Sequence, residues 1–179
     1  MIDKIGIVGA GQMGGGIAHV CALAGLDVTL LDIEDAVLAR AVDAIRGNLA
    51  RQVSRGKIAE GEAEAAVARI ATTTDYASFA ACDAVVEAAT ENEEIKRAVF
   101  QSMLPHLRDD ALIASNTSSI SITRLAAGTD RPERFIGLHF MNPVPVMKLV
   151  EIIRGIATDQ PTFDAFNALA DRLDKTCLL

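Results

Sequence analysis

Apolar runs of strand length alternate along the chain with longer stretches whose apolar residues recur at helical spacing. Lys4–Val8 predicts a strand, then comes a glycine turn, and a helix runs from it to about Ala24. Val28–Asp32 predicts a second strand. The Ala-rich stretch Asp35–Ile70 predicts two helices, broken near Gly56 and Gly61, because glycine is unfavourable inside a helix. Further strands are expected at Ile70–Thr73, Ala84–Ala88, Leu112–Ser115 and Phe135–Leu138, with a helix over Glu93–Leu107. A strand at Lys148–Ile153 and a helix at Thr162–Leu173 complete the pattern. Nearly continuous apolar strands between helices imply a mostly parallel sheet covered on both faces. The fold class is therefore α/β and doubly wound, and the long excursion after the second strand projects as a helical hairpin. There is no internal repeat, low-complexity tract or linker, so residues 1–179 read as one domain.

Three segments at strand ends carry candidate chemistry. Gly9-Ala10-Gly11-Gln12-Met13-Gly14 matches G-x-G-x-x-G, follows a strand and opens a helix. Asp32 ends the next strand, eighteen residues after Gly14. That context marks a Rossmann-type dinucleotide-binding turn. Gly9 permits the tight turn, Gly11 the approach of a pyrophosphate, and Gly14 close packing of helix on strand. The helix N-terminus offers unpaired N–H groups to phosphates. Asp32 would accept from ribose hydroxyls and repel a 2′-phosphate, and Ile33, Glu34 and Asp35 bring no cation, so NAD is favoured over NADP. The competing reading is a glycine turn that serves packing alone.

His139-Phe140-Met141-Asn142-Pro143 ends another strand, where ligands of doubly wound sheets bind. Glu151 follows on the next strand, and the turn Asn142–Pro145 can bring the two side chains together. A carboxylate on the far imidazole nitrogen would make His139 a general base. A structural histidine fits the spacing equally well, and His19 and His106 are read as packing or surface residues. Ser115-Asn116-Thr117-Ser118-Ser119 follows a third strand. There, Ser119 or Ser121 can cap the next helix while Ser118 stays free for a ligand. Arg51 and Arg55 share one face of the helical excursion, with Lys57 close by. They read either as solvated charges or as a clamp for a phosphorylated substrate handle.

Composition narrows the field. Half the residues are hydrophobic and 23% are charged, as in an ordinary globular domain. A net charge of −7 argues against a nucleic-acid partner. The apolar opening is too interrupted for a membrane span, and because strand-like sequence begins at Ile2 no targeting peptide is expected. Cys21, Cys82 and Cys177 are odd in number and unpaired in spacing, so reduced thiols in a cytoplasm are expected. No metal site is expected, since the three histidines lack ligand spacing.

Together, Ile7–Gly14, Ala114–Ser119 and His139–Glu151 resemble the N-terminal domain of the 3-hydroxyacyl-CoA dehydrogenase family, nearest its bacterial 3-hydroxybutyryl-CoA members. The resemblance runs from Met1 to about Arg172. It implies NAD-dependent interconversion of an L-3-hydroxyacyl-CoA and its 3-ketoacyl-CoA, within fatty acid metabolism. His139 would be the base, Glu151 its partner, and Ser118 a hydrogen-bond partner of the substrate's 3-oxygen beside the nicotinamide. Gly9 to Gly14, Asp32, Glu91, Lys96 and Asn142 would meet the cofactor, and Arg51 and Arg55 the phosphates of the CoA thioester. The family continues into a helical domain that this sequence lacks, so impaired turnover and a weak or non-native homodimer are expected. The alternatives are a catalytically weak NAD-binding fragment and a dehydrogenase of a free hydroxy acid or sugar acid.

Overall fold

The computed structural model describes residues 1–178. Eight strands form one sheet: β1 (Lys4–Val8), β2 (Asp27–Leu31), β3 (Ile70–Thr73), β4 (Ala84–Glu87), β5 (Leu112–Ser115), β6 (Phe135–Phe140), β7 (Leu149–Arg154) and β8 (Thr176–Leu178). Their order is β3-β2-β1-β4-β5-β6-β7-β8. All neighbours are parallel except β6 and β7, which run antiparallel. The chain winds outward from β1 to β3 on one side and from β4 onward on the other. The crevice outside the carboxyl ends of β1 and β4 is thus the switch point where such sheets bind ligands.

Helices cover both faces because β1 and β4 to β6 are apolar on both. On one face lie α1 (Gln12–Leu23), α2 (Asp35–Ser54), α3 (Glu60–Ala68) and α6 (Gln160–Arg172), contributing Ile17, Leu38, Ile45, Ala66 and Phe166 to the core. On the other, α4 (Glu93–Met103) and α5 (Ile122–Ala126) bury Phe100, Met103 and Leu125 with Phe79, Ile113 and Phe135. The excursion after β2 is the expected helical hairpin. Leu38, Ala41, Ile45 and Leu49 form the buried stripe of α2.

Several boundaries differ from expectation. The break between α2 and α3 falls at Gly56, whose φ of +68° suits glycine, whereas Gly61 sits inside α3. The helix after β4 ends at Met103 and tightens into a 3₁₀ turn at Leu104–His106, where Pro105 stops it. β6 runs two residues further than predicted and takes in His139 itself. β8 was not foreseen, being short, and α5 is the helix expected after the serine segment. Arg172 ties the last helix to the first strand, donating to the Ile2 carbonyl at 3.0 Å and to Asp3 at 2.7 Å.

Candidate active site

The glycine turn is shaped by the room each residue lacks. Gly9 has φ +99°, and a Cβ there would meet the Ala88 carbonyl oxygen at 2.6 Å. A Cβ on Gly14 would stand 1.7 Å from the Gly9 carbonyl oxygen, so Gly14 answers the turn's own backbone rather than the strand. At Gly11 a Cβ would meet nothing within 4 Å, leaving the turn open outward. No side chain caps α1 and its first turn holds no acidic residue. The N–H groups of Gln12, Met13 and Gly14 therefore remain for an anion. Asp32 accepts from the Ala10 N–H and the Ile33 N–H, each at 2.8 Å, which fixes the carboxylate against the turn. Each oxygen keeps a lone pair for a ribose hydroxyl. Among the described residues no cation pairs with Asp32. These features fit a dinucleotide whose 2′ position carries a hydroxyl.

Across the crevice, a chain of charges holds the serine loop. Glu87 ends β4, fully buried, and accepts from Lys96 Nζ at 2.7 Å, Ser115 Oγ at 2.8 Å and the Ala89 N–H at 2.9 Å. Lys96 is itself only 1% exposed, and its Nζ lies 3.6 Å from Glu91. Glu91 accepts from Thr117 Oγ1 at 2.8 Å, the Ser118 N–H at 2.7 Å, and the Ser118 and Ser119 hydroxyls at 3.1 Å each. Partial burial opposes the charge of Glu91, but these donors and Lys96 outweigh it and hold the carboxyl down at about 2. Ser118 is thus engaged by Glu91 rather than free, while Ser121 caps α5 as one of the two candidates. Glu87 was missed in the sequence; a carboxylate closing the apolar run Ala84-Val85-Val86 was the signal.

His139 and Glu151 stand directly opposite each other in the antiparallel β6–β7 register. Their side chains meet, His139 Nδ1 to Glu151 Oε2, at 2.7 Å. Asn116 Oδ1 accepts the Phe140 N–H at 2.8 Å and pins the end of β6 beside the serine loop. Gln12, Glu91, Lys96, Ser118, His139 and Asn142 all line one crevice of about 430 Å³. The structure thus gathers residues from four strand ends around the mouth of the glycine turn.

Arg51 and Arg55 lie apart from this crevice. With Lys57 they line a larger one of about 580 Å³, to which Lys148, Arg172 and Lys175 add three cations the sequence reading did not include. His19 is buried there, its Nε2 2.9 Å from Gln52 Oε1, and burial lowers its pKa. His106 is exposed. Burial also pushes the Cys21 thiol up to about 12 and that of Cys82 to about 11, which makes both poor nucleophiles. Among the described residues no group of three metal ligands gathers, and no helix is long and apolar enough to cross a membrane.

Comparison with known proteins is consistent with this geometry. Residues 4–179 match the family model described as 3-hydroxyacyl-CoA dehydrogenase, NAD binding domain. The chain is 54% identical to the 3-hydroxybutyryl-CoA dehydrogenase of Bradyrhizobium diazoefficiens over 98% of its own length and 60% of the relative's. It is 43% identical to the fatty acid oxidation complex subunit alpha of Acinetobacter baylyi, covering 98% of this chain and 24% of that protein. The crystal structure of (S)-3-hydroxybutyryl-CoA dehydrogenase from Ralstonia eutropha superposes with a TM-score of 0.97 at 47% identity, over 99% of this chain and 63% of that one.

Proposed function

Because the chain belongs to the 3-hydroxyacyl-CoA dehydrogenase family and carries its NAD-binding domain, we propose that it serves NAD-dependent oxidation of an L-3-hydroxyacyl-CoA, with 3-hydroxybutyryl-CoA the first candidate, and the reverse reduction. The observation that carries the reading is the 2.7 Å contact between His139 and Glu151 in the crevice that the glycine turn opens into. In the oxidation, His139 Nε2 takes the proton of the 3-hydroxyl. Glu151 fixes the tautomer through Nδ1–H and stabilises the imidazolium that forms. To meet the 3-oxygen, the Ser118 hydroxyl gives up its 3.1 Å contact with Glu91, while the Ser118 N–H stays on Glu91 and holds the loop. NAD, when bound, supplies the hydride acceptor. The glycine turn and Asp32 hold the dinucleotide, with Lys96, Glu91 and Asn142 beside its nicotinamide half. Holding both reactants in register supplies much of the acceleration.

Residues 1–179 act as one nucleotide-binding unit in this reading. Arg51 and Arg55, with Lys57 close by in the lining of the same crevice, meet the phosphates of the CoA thioester. That cluster of cations suits a phosphorylated handle better than the single carboxylate of a free hydroxy acid or sugar acid. The thiols of Cys21, Cys82 and Cys177, none in a disulfide, stay reduced in a cytoplasm. The chain spans about 60% of the length of the 3-hydroxybutyryl-CoA dehydrogenases it matches. Exposed Ile153 and Ile156 beside the outer strands favour weak self-association, read by light scattering against concentration.

The test is NADH oxidation driven by acetoacetyl-CoA, run beside an NADH binding titration. Turnover that is lost in His139→Gln supports the dehydrogenase. NADH binding without turnover on acetoacetyl-CoA or 3-hydroxybutyryl-CoA would leave the second reading, a nucleotide-binding module of weak activity.

A further inference from the structure

Lys175 sits where α6 gives way to β8, with 8% of its surface exposed. A lysine this buried normally answers a carboxylate. Among the described residues none lies within ion-pair distance of it. Asp174 beside it is exposed and pairs with Lys148 instead. The Lys175 ammonium donates to two backbone carbonyls, Val144 at 2.6 Å and Met147 at 2.7 Å. Desolvation, with the nearby charge of Lys148, pulls its pKa below the ordinary lysine value. A buried charge kept at that cost holds something in place.

What it holds is the loop between His139 and Glu151. Residues 141–148 join β6 to β7 and carry Asn142. β8 runs parallel to β7, with Thr176 in register with Leu149, so Lys175 arrives at the same end of the sheet as the loop. From the opposite side Val144 is buried against α1, where a Cβ on Gly16 would come within 2.8 Å of it. The Val146 and Met147 N–H groups both reach the Pro143 carbonyl at 3.0 Å, and the Thr176 N–H reaches the Lys148 carbonyl at 2.8 Å at the loop's end, so at Val144 and Met147 the carbonyls are left to Lys175. Hydrogen bonds from a charged donor are about twice as strong as neutral ones.

We infer that Lys175 is a positioning residue for the His139–Glu151 pair, gripping the loop carbonyls and so setting how β6 and β7 meet. The inference rests on the catalytic reading of that pair, but its test does not. Arg131 provides the control: it is likewise buried, at 6% exposure, and donates to the carbonyls of Arg108 and Ala111, before β5 and at the far end of the sheet.

The experiment is ¹H–¹⁵N spectroscopy of the histidine rings in the chain itself, with NADH titration alongside. Lys175→Met is expected to broaden or lose the hydrogen-bonded His139 Nδ1–H signal while NADH affinity stays within about twofold, the glycine turn being untouched. Arg131→Met should destabilise comparably and leave that signal in place. Should Lys175→Met not fold, Lys175→Gln, a polar side chain one bond too short to reach both carbonyls, should weaken the signal. An unchanged His139 signal in whichever Lys175 variant folds overturns the inference, as does equal loss in Arg131→Met. Loss of the signal in a chain that does not turn over acetoacetyl-CoA supports the positioning role and counts against the catalytic reading alone.

Discussion

The two ends of the crevice are built from different material. The dinucleotide end is backbone: three glycines, free N–H groups, and one carboxylate pinned by two amides. The reacting end is side chains, Glu87, Lys96, Glu91, Ser118, His139 and Glu151, brought from several strands and tied by charge. A backbone site fails when atoms are added to it. A side-chain site fails when atoms or charges are removed.

The sharpest way to break that contrast is at Gly14. A Cβ 1.7 Å from the Gly9 carbonyl oxygen cannot coexist with the turn. Gly14→Ala should cost more than about 3 kcal/mol, beyond ordinary overpacking, and abolish measurable NADH binding. Gly11→Ala adds the same methyl where nothing stands within 4 Å. It should leave stability within about 1 kcal/mol yet still weaken NADH binding, because the methyl enters the ligand's space. Thermal melts and fluorescence titration read both; equal melting points for the two variants would refute the contrast.

At the reacting end, His139→Gln should cut turnover by about two to four orders of magnitude, the usual worth of a positioned base, with NADH affinity unchanged. Steady-state rates on acetoacetyl-CoA check it in any form that turns over. Glu151→Gln should slow turnover less, since the imidazole survives.

Asp32 belongs to the backbone end yet acts through a side chain. Asp32→Ala should lose about tenfold in NADH affinity, the worth of a hydrogen bond to a charged group, with little change for NADPH. A native preference for NADPH would reverse the assignment.

The smallest effect expected is at Glu91. Its folded pKa of about 2 lies below its ordinary 4.5, so its charge adds stability that is complete above about pH 4.5 and lost as pH falls toward 2. The side chain is 46% exposed, which discounts the contribution to about 1 kcal/mol. Urea unfolding between about pH 3 and 6 should show that slope in the native chain and a shallower one in Glu91→Gln.

The same contrast explains what the sequence made legible. The glycine turn and Asp32 are read within one βαβ unit, because their roles follow from backbone geometry and residue type. The His139–Glu151 pairing was open from spacing, since twelve residues of separation say nothing of register. Only the antiparallel ladder puts the two side chains opposite each other. Lys175 and the engagement of Ser118 by Glu91 were not readable, because each depends on partners far along the chain. β8 escaped for a simpler reason: three residues carry too little periodicity.

The strand order has a consequence for how the chain is made. β1 lies between β2 and β4. On the ribosome its first neighbour is complete by Leu31, but its second only by Glu87, roughly fifty residues later, a gap of several seconds at about 5–20 residues per second. Throughout that interval a strand apolar on both faces offers one bare edge to any passing chain. The long α2–α3 excursion is synthesised in the same window, so every residue added to that hairpin lengthens the exposure. The time that edge stays open during synthesis is therefore a cost of enlarging this insertion, separate from stability once folded.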